Sequence, residues 1–243
     1  MLITQNIIEI DLDGVLYSIC GAMRKASPVL NLLNFSENSL ACYDFDNAPI
    51  VLRREILEAV NNPDIYDNPD CIFPETADFL KSIDKLCDYY GFEPMIKTWL
   101  PRDADKEIFC RRQRFVQEVA RQIPAIINQQ IGGKTWENHK PYILIEDNPA
   151  VFLQKEKNCD IGIMRKWRYN IPYDDFLCEP AAYFNKIKSP GGHSVEKITS
   201  VINPYVLAAD SLAGIFEACA YALETAVTER KTVDWADYCR KNF

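Results

Sequence analysis

Short apolar runs alternate with longer amphipathic stretches along most of this chain. Ile7, Ile8 and Ile10 are β-branched and interrupted only by Glu9, so residues 7–10 predict a short buried strand. It runs into Asp11-Leu12-Asp13-Gly14, where a glycine lets the backbone turn sharply. From Tyr17 to about Asp70 the character changes: Leu52, Ile56 and Ala59 take helical spacing, Phe35, Tyr43 and Phe45 add aromatics, and Pro28, Pro49 and Asn61-Asn62-Pro63 supply breaks. This reads as a mostly helical insertion.

Beyond it the alternation resumes. Ala77, Leu80, Ile83, Cys87 and Tyr90 predict a helix with Gly91 at its C-terminal cap. A strand is expected at 94–98, then a helix capped by Asp103 whose apolar face carries Ile108, Phe115 and Val119. Arg111, Arg112, Arg114 and Arg121 give that helix a basic side, expected to be solvated. Further strands are expected at 125–129, 141–145 and 160–164. Strands alternating with helices in this way argue for an α/β fold with a doubly wound parallel sheet. Ser189-Pro190-Gly191-Gly192 looks like a boundary, and Asn203-Pro204 suits the start of a long helix. Its stripe, Tyr205, Ala209, Leu212, Phe216, Cys219, Leu223 and Ala226, must be buried, either on the protein's own core or in a homodimer. The expected organisation is a core of residues 1–16 and 70–188, a helical cap at 17–69 and a C-terminal helical extension at 189–243.

Composition narrows the functional classes. A chain of 243 residues buries about 70 to 75% of its unfolded surface, enough for one core with a small inserted domain. Nine cysteines without a Cys-x-x-Cys pair suggest neither a disulfide framework nor a zinc site, which fits a reducing, cytoplasmic compartment. No signal segment is recognised, and the apolar stretch from Tyr205 to Leu223 is broken by Asp210 and Glu217, so no membrane span is expected. A net charge of -8 disfavours an extended nucleic-acid groove and permits a small anionic ligand held by local cations.

The chemistry concentrates at strand ends. Asp11 and Asp13 are two residues apart, so on a continuing strand they face the same way. At about 4 Å and an effective dielectric near 20 their repulsion is roughly 4 kcal/mol, which a shared proton or a cation must offset. A hard ion with oxygen ligands, Mg2+ first, suits such a pair. Glu146-Asp147 ends another strand and can supply a further oxygen ligand. Thr98 ends a third in a hydroxyl able to bond a phosphoryl oxygen. Phe45 can stack on a base or pack within the cap. His139 and His193, the two histidines, receive no role.

The run Asp11-Leu12-Asp13-Gly14-Val15 resembles the Asp-x-Asp-Gly-(Thr or Val) motif that opens the phosphatases of the haloacid dehalogenase superfamily. The resemblance implies their Rossmann-like core, with Asp11 as nucleophile and Asp13 as general acid and base. It also implies Mg2+ held by Asp11, the Asp13 backbone carbonyl and Asp147, and a phosphate cradle of Thr98 with a lysine. Lys134 and Lys140 both stand ahead of the paired acids, and Lys134 is favoured. Lys134-Thr135 followed by residues 141–149, Pro74-Glu75-Thr76-Ala77, and Trp167-Arg168-Tyr169-Asn170 are similar to segments of the 5′(3′)-deoxyribonucleotidases. That narrower likeness implies a (deoxy)nucleoside monophosphate substrate. Another small phosphate ester, nucleic-acid 3′ ends, or an idle binding protein using its C-terminal helix are the alternatives.

Overall fold

The computed structural model describes residues 4–37, 50–100, 104–121, 123–129, 140–152, 159–165, 167, 206–235 and 238. Its centre is strand β1 (Thr4–Asp11), whose Ile7, Ile8 and Ile10 are buried. Around it stand β2 (Glu93–Leu100), β3 (Ala125–Gln129), β4 (Lys140–Glu146), β5 (Ile161–Arg165) and β6 (Val206–Ala209). All neighbouring pairs are parallel, in the order β3-β2-β1-β4-β5-β6. Every residue of β5 is buried, the continuous apolar pattern that a strand covered on both faces requires. The winding reverses between β1 and β4. In open α/β sheets that reversal opens a crevice outside the carboxyl ends of the two strands, because successive connections leave in opposite directions there.

Between β1 and β2 the chain makes a helical excursion, then the long helix that crosses back. The excursion holds α1 (Ile19–Ala26), α2 (Pro28–Leu32) and α3 (Ile50–Val60), followed by single 3-10 turns at Pro63–Ile65 and Pro69–Cys71. Ser18 caps α1 by accepting from the Gly21 amide at 2.9 Å, and Ser27 caps α2 from the Leu30 amide at 3.2 Å. The departing and returning strands are hydrogen-bonded to each other: Ser18 N donates to Cys71 O at 2.8 Å, and Phe73 N to Leu16 O at 3.0 Å. The excursion thus leaves and rejoins the core at one place. Helix α4 (Thr76–Tyr90) follows, burying Phe79, Leu80, Ile83 and Cys87, and Gly91 ends it at φ 73°, the left-handed conformation a glycine adopts without strain.

Helix α5 (Lys106–Val119) is capped by Asp105, whose carboxylate accepts from Ile108 N at 2.8 Å, rather than by Asp103, which lies outside the described residues. Its expected solvated basic side holds for Arg114 and Arg121, which are exposed, and is corrected for the other two. Arg112 is completely buried, and Arg111 is engaged by Asp64 and Asp67 of the excursion at 2.6 to 2.8 Å. A short α6 (Pro149–Phe152) separates β4 from β5.

The C-terminal part differs most from expectation. Residues 206–209 form an edge strand of the sheet, and the helix α7 (Leu212–Leu223) starts later than Asn203, capped by Ser211 from the Gly214 amide at 3.1 Å. Residues 206–223 therefore complete the core instead of extending it. The buried face of α7, Leu212, Ile215, Ala218, Cys219, Ala222 and Leu223, packs against α4 and β5, so its stripe serves the protein's own interior. Six cysteines among the described residues are free, and no described helix is long and apolar enough to cross a membrane.

Candidate functional site

The β1/β4 reversal collects acids. Asp11 ends β1, Glu146 ends β4, and Asp147 follows at once; all three are at most 5% exposed. Each offers a carboxylate oxygen within 4.8 Å of the other two. Local backbone geometry fixes two of them: Asp11 Oδ1 accepts from Leu12 N at 2.7 Å, and Glu146 Oε1 accepts from the amides of Asp147 and Asn148 at 3.3 Å each. Three buried carboxylates so close repel one another, and a nearby positive charge offsets that repulsion. Donors that are all carboxylate oxygen fit a hard divalent ion such as Mg2+ and do not suit a thiophilic one.

Gly14 makes the closeness of Asp147 achievable. Its φ is +75°, and a Cβ built there would lie 1.8 Å from Asp147 Oδ2. A side chain at position 14 and the carboxylate of Asp147 compete for the same space.

Asp13 faces other partners. Its Oδ2 accepts from Thr98 Oγ1 at 3.0 Å and its Oδ1 from Arg112 Nη2. Arg112 Nη2 also donates to Thr98 Oγ1 at 3.1 Å, while Nη1 donates to the Tyr66 carbonyl at 2.9 Å. The guanidinium carbon lies 5.1 Å from the centre of the Tyr17 ring and 5.9 Å from those of Tyr66 and Phe115. Burial pushes the Tyr17 phenol well above its ordinary pKa, an effect that the charge of Arg112 partly opposes. The phenol donates to Ile65 O at 2.5 Å.

A second buried pair lies alongside. Lys97 is the register partner of Asp11 on β2, and its Nζ lies 3.7 Å from Glu9 Oε1, with both side chains nearly inaccessible. The turn after Asp13 is held from the end of β5. Trp167 Nε1 donates to Gly14 O at 2.7 Å, and Arg165 Nη1 to Val15 O at 2.6 Å. Trp167 stacks on Phe73 with ring centres 5.5 Å apart, and the Arg165 guanidinium lies 4.4 Å from the centre of the Phe73 ring and 4.9 Å from that of Trp167.

Of the residues expected from sequence, Asp11, Glu146 and Asp147 form one cluster, and Asp13 and Thr98 form another. Lys134 and Phe45 lie outside the described residues. Lys140 begins β4, at the end of the strand away from Glu146, and its Nζ is 2.5 Å from Asp160. It is therefore not positioned to meet a ligand at Asp11. Arg112, Arg165 and the donor role of Trp167 were not foreseen. Arg112 carried a signal: it falls on the stripe Ile108, Arg112, Phe115, Val116, where a charge at a core position calls for a buried partner. Neither a scan against protein-family models nor a search of curated proteins finds a match to this chain.

Proposed function

We propose that the chain is a Mg2+-dependent phosphomonoester hydrolase working through an aspartyl-phosphate on Asp11, with (deoxy)nucleoside monophosphates as substrates. The observation that carries the reading is the buried cluster Asp11, Glu146 and Asp147 at the reversal of the sheet, next to an independently held Asp13. Asp11, Glu146 and Asp147 would hold the ion, which when bound supplies charge screening between phosphate and nucleophile and orients the ester. The narrower nucleotide assignment is supported by the resemblance at residues 74–77, 134–149 and 167–170.

In the first step an Asp11 carboxylate oxygen forms a bond to phosphorus while the ester P–O bond breaks. Asp13, which takes part in this step in its protonated form, gives that proton to the departing alkoxide, leaving a free alcohol. In the second step water attacks the phosphorus of the aspartyl-phosphate, Asp13 takes the proton, and the Asp11–phosphorus bond breaks to restore the carboxylate. Splitting one displacement into two lowers each barrier, and proton transfer of this kind contributes typically 10² to 10⁴ in rate. Lys97 lies beside Asp11 on the next strand, and with Glu9 it forms a buried pair at the foot of the nucleophile. Thr98 is a hydroxyl donor next to Asp13.

The test is phosphate release from 5′- and 3′-deoxyribonucleotides, ribonucleotides and sugar phosphates, with and without Mg2+, using Asp11→Asn as control. Turnover of nucleoside monophosphates that disappears in the folded variant is the expected result. Activity confined to sugar phosphates would discard the nucleotide assignment and keep the mechanism. Unimpaired turnover by Asp11→Asn would remove the nucleophile.

A further inference from the structure

Arg112 is the most buried charge near the site, with a side chain 0% exposed, while the Asp13 carboxylate it meets is 25% exposed. The arginine is thus out of reach of solvent, whereas the Asp13 carboxylate is partly within it. Both oxygens of Asp13 are taken up, one by Arg112 and the other by Thr98. Arg112 also donates to the Tyr66 carbonyl and lies 5.1 to 5.9 Å from the centres of three aromatic rings. A buried guanidinium is strongly destabilising without an anionic partner. Asp13 can therefore leave it only if another anion arrives.

Carboxylate and phosphoryl oxygens are equivalent acceptors for a guanidinium and a hydroxyl. We propose that Arg112 and Thr98 form a receptor for a tetrahedral oxyanion whose place the Asp13 carboxylate takes in this structure, so that a phosphoryl group binds by displacing Asp13 from Arg112. The exchange frees Asp13 beside the newly bound group. The proposal rests on the phosphatase reading for the identity of the anion and adds to it a residue, Arg112, and an order of events. Arg112 acts here as a specificity-determining residue for the doubly charged group.

Isothermal titration of inorganic phosphate, in Mg2+, into the full chain and its variants tests the exchange. Arg112→Gln loses a charge-assisted pair, so phosphate affinity falls roughly 10- to 100-fold. Arg112→Lys, which keeps the charge but not the fork, recovers part of it. Asp13→Asn removes the competitor and tightens phosphate binding roughly threefold or more, and this gain vanishes in the Arg112→Gln background. Equal tightening in both backgrounds, or unchanged affinity in Arg112→Gln, would overturn the proposal. If Arg112→Gln melts out, the same cycle is read with Arg112→Lys, where the gain shrinks if the exchange holds and is undiminished if it does not. Wild-type protein that binds phosphate through Arg112 yet hydrolyses no monoester would sink the phosphatase reading and leave the receptor standing. Hydrolysis lost in Asp11→Asn together with an additive cycle would do the reverse. No phosphate binding by the wild type would overturn the receptor outright.

Discussion

Replacing Gly14 by alanine probes the acid cluster most directly. The added Cβ would sit 1.8 Å from Asp147 Oδ2 and 2.4 Å from Asp147 Cγ, so to reach ordinary contact the carboxylate must retreat by roughly 1.5 Å or more. The backbone at φ +75° adds a left-handed strain of about 1 to 2 kcal/mol for a residue with a Cβ. For a chain of this size that strain lowers Tm by roughly 2 to 8 °C. The larger effect concerns the metal, because Mg2+ requires oxygen ligands at about 2.0 to 2.1 Å in near-ideal octahedral geometry. In the wild type, Mg2+ at 100 times its Kd stabilises by about 2.7 kcal/mol, a rise of roughly 5 to 11 °C. Thermal melts of both proteins, in EDTA and in saturating MgCl2, separate the two effects. The variant is expected to be folded, slightly less stable in EDTA, and nearly unresponsive to Mg2+. A full Mg2+-dependent rise in Gly14→Ala would refute the assignment of Asp147 as a ligand held against Gly14.

Three further outcomes are expected. Ile215→Ala, at a fully buried position of α7, should cost about 2 to 5 kcal/mol in urea unfolding, whereas a loss below 1 kcal/mol would mean the helix is not part of the core. Trp167→Phe keeps the ring stack but leaves Gly14 O without its indole donor, so stability should fall by about 1 kcal/mol and turnover should drop, both read on the same preparation; unchanged turnover would show that the turn does not need the Trp167 donor. Burial pushes the Cys87 thiol up to about 12 from 9.0, and the thiols of Cys20 and Cys219 rise as well. Below about 9 both folded and unfolded chains hold these protons, and stability from this source is complete. Between 9 and 12 the unfolded chain releases protons that the native one retains, so the urea midpoint should fall from pH 8 to pH 10, and a constant or rising midpoint would contradict the burial of these thiols.

The five strands from β1 to β5 and the helix ending at Gly91 were legible because each is a short apolar run or a clean stripe bounded by a turn residue. Strand β6 was not. Val206, Leu207, Ala208 and Ala209 form a four-residue apolar run, and with Tyr205 and Ala209 four apart they continue the stripe of α7 without a break. Periodicity cannot divide such a run, and the sheet edge that pairs with it is set by β5, over 40 residues earlier. Asn203-Pro204 offered a plausible start that outweighed Ser211, the cap observed. The acids at the ends of β1 and β4 could be read as one site because a parallel sheet aligns carboxyl ends. What engages Asp13 could not, since the three arginines of α5 look alike until the register of the helix against the sheet selects Arg112.

The position of β1 also bears on how the chain reaches this fold. The strand at the middle of the sheet precedes both of its partners in the chain. Its partner β2 begins about 80 residues after Asp11 and its other partner β4 about 130 residues after it. At roughly 5 to 20 residues per second, a nascent β1 waits on the order of 6 to 26 seconds before both of its edges can be paired. Residues 16–73, whose ends are hydrogen-bonded to each other in the finished fold, are all synthesised before β2 and can close beside the apolar strand first. The helical insertion is thus the part of the chain best placed to cover β1 while its second edge waits for β4.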